Sequence, residues 1–329
     1  MLRREFVTSL CGVLAAFSVG PFAHGQKKRP LIIWISAFAP PTGQEDLKFS
    51  AYFLEGMAGL GCLRDRDFTF EFRTGGGLPD LPRLAEEVVV AQPSVIVVPA
   101  TFEAVALSKA TSQIPIVCPA LADAVHLGLI ESEARPGRNI TGIEPYISGL
   151  PAKQIELARE VVPSAKRIGL LTNDVDPKGP PQTRELSGAI ASLGLTAIPV
   201  NANQPSEIGA AFEKFAIENV DVVVVLQTNL LLLRRFVISD IALKHKMPTV
   251  YGYRENVVAG GMVSYGVNLS WCYTRGAYFV DRILKGAKPG DLPIEFPTSF
   301  WLAANIRAAK SLGMSLSPSL LARADEVIE

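Results

Sequence analysis

Apolar and polar positions follow two rhythms along this chain, and the rhythms repeat. Residues 31–37 form a continuous apolar run, the pattern of a parallel strand buried on both faces. Residues 45–60 carry apolar side chains at helical spacing and stop at Gly61, a suitable helix end. Phe68, Phe70 and Phe72 alternate with polar residues over 67–73, which predicts a strand with one polar face. A helix over 81–92, a strand over 94–98, a helix over 102–110 and strands over 115–118 and 139–143 continue the alternation.

Near residue 150 the pattern restarts. A helix over 149–162 stops at Pro163. Then come strand 167–172, helix 182–193 before Gly194, strand 196–200, helix 207–218, strand 221–226, helix 231–245, strand 248–251 and a short strand over 262–265. Strands alternating with helices predict α/β architecture with parallel sheets and right-handed crossovers. The restart predicts two Rossmann-like lobes. The tail holds a helix over 270–284 with aromatics on one side, an extended stretch over 295–303 and a helix over 306–312. It is too short for a third lobe, so the chain is expected to cross back between the two. The predicted division is 28–145 plus about 266–290 for lobe 1, and 146–265 plus about 291–329 for lobe 2, with several crossing segments acting as a hinge.

Composition narrows the class. The chain has 329 residues, 48% hydrophobic and 19% charged, with a mean hydropathy of +0.25. That is enough apolar material for two cores, and it is not a disorder profile. Thirty-two basic residues balance thirty-two acidic ones, so no basic patch points to nucleic acid. Arg3 and Arg4 precede an apolar run over 7–19, then Pro21 and the small residues around Ala23 and Gly25. Residues 1–25 therefore read as a signal peptide cleaved before Gln26, with an uncleaved anchor disfavoured by the shortness of the run. The paired arginines suit a twin-arginine signal or any basic n-region. The expected compartment is the periplasm. Cys11 would leave with the signal; Cys62, Cys118 and Cys272 lack ligand spacing and read as small buried hydrophobes. No metal and no cofactor are expected.

Ligands of open parallel sheets collect beyond the carboxyl ends of the strands. In the first half those ends are Ala37-Phe38, Thr101 and Asp123; in the second they are Asn173, Asn229, Tyr251 and Tyr253, with Tyr265 at a return crossing. Hydroxyls, amides, one acid and aromatics together suit a small polar or zwitterionic ligand with an apolar part. Thr101 falls at the start of a helix, where it either serves as a plain N-cap or helps the helix amides bind a carboxylate. Asp123 either faces a ligand ammonium or caps the next helix. Tyr251 and Tyr253 either stack on the ligand or belong to the core. Arg254 pairs either with a ligand or with Glu255. His126 and His245 fall in different lobes, and no HExxH, GxSxG or CxxC occurs. Gly75-Gly76-Gly77 lacks the lysine and hydroxyl of a P-loop and reads as a turn.

Several stretches taken together resemble the ABC transporter substrate-binding protein family that includes the tryptophan-binding TrpX-like proteins. They are Arg3-Arg4-Glu5-Phe6, Ile114-Pro115-Ile116-Val117, the run from Ala134 to Gly142, Tyr253-Arg254-Glu255, the run from Ala259 to Gly266, Arg282-Ile283-Leu284-Lys285-Gly286 and the ending from Pro318 to Ile328. The resemblance implies a type I periplasmic-binding fold with a three-segment hinge. It implies a non-enzymatic clamp that carries an amino-acid-like ligand, aromatic or branched, to an ABC permease, touching the membrane only through that complex. Ala37, Phe38, Thr101, Asp123, Asn229, Tyr251 and Tyr265 match ligand-contact positions. The loops depart from the family pattern at Pro99-Ala100-Thr101-Phe102-Glu103, Asp123-Ala124 and Gln227-Thr228-Asn229-Leu230-Leu231, so the ligand itself does not carry over. Two other classes share the architecture. A two-domain enzyme such as a racemase would need facing acid–base residues; a sugar-responsive repressor would need an N-terminal helix-turn-helix. A ligand sensor uncoupled from transport is a further alternative.

Overall fold

The computed structural model describes residues 29–38 and 49–329. The expected signal segment, Cys11 and the opening of the helix expected over 45–60 lie outside the described residues. Two sheets organise the chain. The first is assembled from β1 (Leu31–Ser36), α1 (Phe49–Gly59), β2 (Thr69–Thr74), α2 (Leu81–Val90), β3 (Val95–Val97), α3 (Thr101–Ala110), β4 (Ile116–Cys118) and β5 (Ile140–Gly142). Its order is β2-β1-β3-β4-β5 and every pairing is parallel. Ile32, Ile33, Trp34 and Ile35 are all buried because both faces are covered. Ile32 and Trp34 pack with Phe53, Met57 and Phe70; Ile33 and Ile35 pack with Leu84 and Val88. Phe72 differs from its two partners: it is exposed on the edge strand and its ring lies 6.5 Å from Trp34.

The second sheet starts after residue 149. Its elements are α4 (Leu150–Val161), β6 (Arg167–Thr172), α5 (Gly179–Ser192), β7 (Thr196–Asn201), α6 (Glu207–Ile217), β8 (Val222–Val225), α7 (Asn229–Leu233), α8 (Arg235–Lys244), β9 (Thr249–Tyr251), α9 (Arg254–Val258) and β10 (Val263–Val267). Then α10 (Leu269–Leu284) returns to the first lobe. β11 (Phe300–Asn305), α11 (Ile306–Ser311), α12 (Pro318–Arg323) and β12 (Glu326–Ile328) end the chain in the second. The order is β12-β11-β10-β9-β8-β6-β7, parallel except for the antiparallel pair β10–β11. Val222 to Val225 are buried at the centre. The helix expected over 231–245 is in fact two, α7 and α8, broken at Arg234. Arg254 is paired internally, but with Glu326 of β12, at 2.7 Å through Nη2, rather than with Glu255.

The return helix explains its aromatic stripe. Tyr273, Phe279 and Val280 are buried against the first lobe, each contributing roughly 1.5–3 kcal/mol by leaving water. α10 crosses α1 so closely that a Cβ on Gly56 would stand 2.4 Å from the Thr274 carbonyl oxygen. Three segments carry the described chain between the sheets: 143–149, 267–269 and 292–299. The first and third run side by side, with Glu144 N–H donating to Glu295 O at 2.9 Å and Glu295 N–H to Gly142 O at 3.1 Å. The Arg275 guanidinium of α10 grips the Glu295 carboxylate through two bonds of 2.7 Å. Glu185 of α5 accepts from the Tyr146 hydroxyl at 2.6 Å and from Gly149 N–H at 2.7 Å, fixing the first crossing to the second lobe.

Candidate functional site

The carboxyl ends of the two sheets face each other. On the first lobe, Ala37 follows β1 and is buried; its N–H donates to Glu103 Oε1 at 2.9 Å. Phe38 is half-buried, its carbonyl accepting from Ser36 Oγ at 3.0 Å. Thr101 is the first residue of α3, and the N-cap position belongs to Ala100, one residue earlier than the sequence suggested. The Thr101 hydroxyl is therefore not spent on capping. It is buried with no hydrogen-bond partner. Two residues on, Glu103 is completely buried in the first turn of α3. Oε1 is held by Ala37, while Oε2 has no partner. Burial pushes this carboxyl up to about 7. Glu144, just past β5, is pushed up to about 8 by the same cause. The Tyr273 hydroxyl of α10 donates to Pro99 O at 2.8 Å and pins the end of β3.

Asp123 is placed differently from Thr101. Its side chain is exposed, its φ is +52°, and a turn follows it instead of a helix. It sits on the rim of a groove of about 670 Å³ between the lobes, with His126 and Glu144 on its own side and Asp174, Pro177 and Arg184 opposite.

On the second lobe, the Asn173 amide is buried and donates to Ala202 O at 2.8 Å, tying β6 to the loop after β7. Asn229 opens α7 and contributes its backbone: its N–H donates to Asp176 Oδ2 at 2.8 Å. Asp176 Oδ1 accepts from Lys178 N–H at 3.0 Å, so one buried carboxylate clips the starts of α5 and α7. Gln182 accepts from Gln227 N–H at 2.9 Å. Gln227 Nε2 reaches Gly252 O at 3.0 Å, leaving Gln227 Oε1 and the neighbouring Thr228 hydroxyl buried without partners. Tyr251 points into the core of its own lobe, where a Cβ on Gly261 would meet its ring at 2.3 Å. Tyr253 packs instead with Leu232 and Tyr273, among first-lobe residues. Tyr265 lies at the hinge; its ring is 6.0 Å from Phe300 and its carbonyl accepts from Gln154 at 3.3 Å.

Of the sequence candidates, Ala37, Thr101 and the Asn229 backbone thus belong to the buried junction. Phe38 and Tyr265 flank it. Asp123 is on the rim, and Asn173 and Tyr251 serve their own lobe. The junction also holds Glu103, Glu144, Asp176, Lys178 and Gln227, which strand-end reasoning did not single out as ligand contacts. Among the described residues no group of three or more His, Cys, Asp or Glu is arranged to hold a metal ion.

With that geometry in place, comparison with known proteins is informative. The family model described as ABC transporter substrate binding protein matches residues 51–328. The tyrosine-binding protein of Clostridioides difficile (strain R20291) is 25% identical over 263 residues, 80% of this chain and 75% of that protein. A conserved domain protein of Vibrio cholerae superposes with a TM-score of 0.83 at 26% identity, over 91% of this chain and 100% of that one. The ABC domain from Streptococcus pneumonia in complex with L-Trp gives a TM-score of 0.82 at 22% identity, over 92% and 100%. The shared architecture is the type I periplasmic-binding fold.

Proposed function

This chain belongs to the ABC transporter substrate binding protein family, and from that premise we propose that it is an exported clamp that captures an amino-acid-like ligand between its lobes and delivers it to an ABC permease. The observation that carries this reading is the facing set of buried polar atoms without partners: Thr101 Oγ1 and Glu103 Oε2 on one lobe, Gln227 Oε1 and Thr228 Oγ1 on the other. A buried polar atom left unpaired costs about 1–3 kcal/mol. Atoms of this kind, gathered at facing strand ends, suit a small molecule that brings its own donors and acceptors. Tyr253 and Leu232 of the second lobe pack into an apolar cluster made mostly by the first, and apolar surface shared by both lobes suits an aromatic or branched side chain. A relative that binds tyrosine and a like-folded domain in complex with L-Trp support the same ligand class.

A melting-temperature screen of the purified chain against the twenty amino acids tests it, because a ligand that binds only the native state raises the midpoint. An aromatic or branched amino acid is expected to give the largest rise. A response to none of them would sink the amino-acid reading.

A further inference from the structure

The groove beside Asp123 has a chemistry of its own. Two of the three crossings wall it, through Glu144 and Tyr146 of the first and Phe296 of the third. The lobes close it from either side, with Asp123 and Glu133 facing Asp174. These walls are held in place. The Glu133 carbonyl accepts from Ile294 N–H at 2.8 Å, which ties its loop to the third crossing. Asp174 N–H donates to the side-chain oxygens of Asn201 and Asn203, each at 3.1 Å.

Four carboxyl groups thus line one groove of about 670 Å³. Two basic side chains line it as well, Arg184 of α5 and His126. Among the described residues neither has a carboxylate oxygen within the 4.0 Å of an ion pair. Glu185, next to Arg184, is taken by the Tyr146 hydroxyl and Gly149 N–H. Asp174 Oδ1 accepts a long bond of 3.4 Å from Thr172.

Glu144 is the group that points to a ligand. It is only 9% exposed yet lines the groove, and among the described residues no side chain hydrogen-bonds to it. Burial, with the charges of Glu133 and Asp123, pushes its carboxyl up to about 8 against the pull of Lys178 and of the Asp123 backbone N–H. A buried carboxylate among like charges is costly, and a cation that reaches it recovers that cost. The carboxyl groups do not gather as a metal ion requires. The rings of Tyr146 and Phe296 beside them suit an organic cation.

We propose that this groove is a second binding site, for an organic ammonium, which Glu144 takes at its buried end while Asp123 and Asp174 hold it from the two lobes. Its occupant is separate from the molecule carried at the facing strand ends. Because that occupant touches both lobes, it also favours their closed arrangement.

The test titrates benzylamine, and benzyl alcohol as an uncharged analogue of similar shape, into the purified chain by calorimetry. The same titrations are made on Glu144→Gln and on the double variant Asp123→Asn with Asp174→Asn, with thermal melts to check folding. The double variant changes two exposed side chains, and asparagine tolerates the positive φ of Asp123, so the test stands even if Glu144→Gln does not fold. A charge-assisted hydrogen bond corresponds to roughly ten- to hundredfold in affinity. Benzylamine is expected to bind the parent, and benzyl alcohol to bind at least about tenfold more weakly. Each variant is expected to weaken benzylamine about tenfold or more and to leave benzyl alcohol unchanged. Benzyl alcohol binding the parent as well as benzylamine does overturns the site. So does a double variant that binds benzylamine as the parent does. If an amino acid raises the melting temperature while benzylamine does not bind, this site falls and the clamp stands. If benzylamine binds through these acids while no amino acid does, the amino-acid reading falls and this site stands.

Discussion

Glu103 shows how burial sets chemistry at a single residue. Its carboxyl stands at about 7 against an ordinary 4.5, and Glu144 stands at about 8. A carboxyl raised in the folded state holds more protons folded than unfolded. Its contribution to stability is therefore complete below its unfolded value and is lost as pH rises through its folded value. The melting temperature of the ligand-free chain is expected to fall between about pH 5 and about pH 9, and the double variant Glu103→Gln with Glu144→Gln to flatten that slope. Identical pH profiles for parent and variant would show that neither group is buried as described. If Glu103 accepts from a ligand ammonium, binding expels its proton, and affinity for an amino acid should rise with pH up to about 7 and then level off. Gly266 makes a different kind of point. A Cβ there would stand 1.8 Å from the Gly252 carbonyl oxygen, so Gly266→Ala must move backbone at the hinge. The expected loss exceeds about 2 kcal/mol, measurable by denaturant melts.

Among the elements, the crossing segments decide how the lobes move. Tyr146 and Gly149 both hold Glu185 of α5, so the first crossing is fastened at its second-lobe end. Tyr146→Phe removes one charge-assisted bond, worth about 1.5–3 kcal/mol at most. It is expected to raise hydrogen exchange over 143–149 while leaving the centres of both sheets protected; unchanged exchange there would mean that the bond carries no restraint. The sheets themselves were legible in the sequence, because a parallel strand covered on both faces writes itself as an apolar run, as in β1 and β8. Short elements such as α9 and β12 were not, since five and three residues hold no period. The strand-end rule points to the loops between the lobes but does not sort their residues. Tyr251 and Tyr253 look alike in sequence, yet one turns into its lobe and the other across the junction. An acid in the first turn of a helix, like Glu103, reads as a solvated partner of the helix dipole. A lysine in Asp176-Pro177-Lys178-Gly179 reads as an exposed loop residue. Asp123 turns at a positive φ in the loop after β4, which leaves its carboxylate on the rim of the groove.

At the scale of the whole molecule, two lobes joined by three crossings form a hinge, and a ligand bridging both lobes favours closure by the contacts it gains there. Export is a separate expectation: the mature protein should begin near residue 26, and N-terminal sequencing of secreted material that starts at Met1 would count against it. The clamp itself is tested most directly by small-angle X-ray scattering of the purified chain, titrated with an amino acid that raises its melting temperature. The radius of gyration is expected to decrease and to level off at one ligand per chain. A radius that does not change at saturation would contradict capture by closure between the lobes.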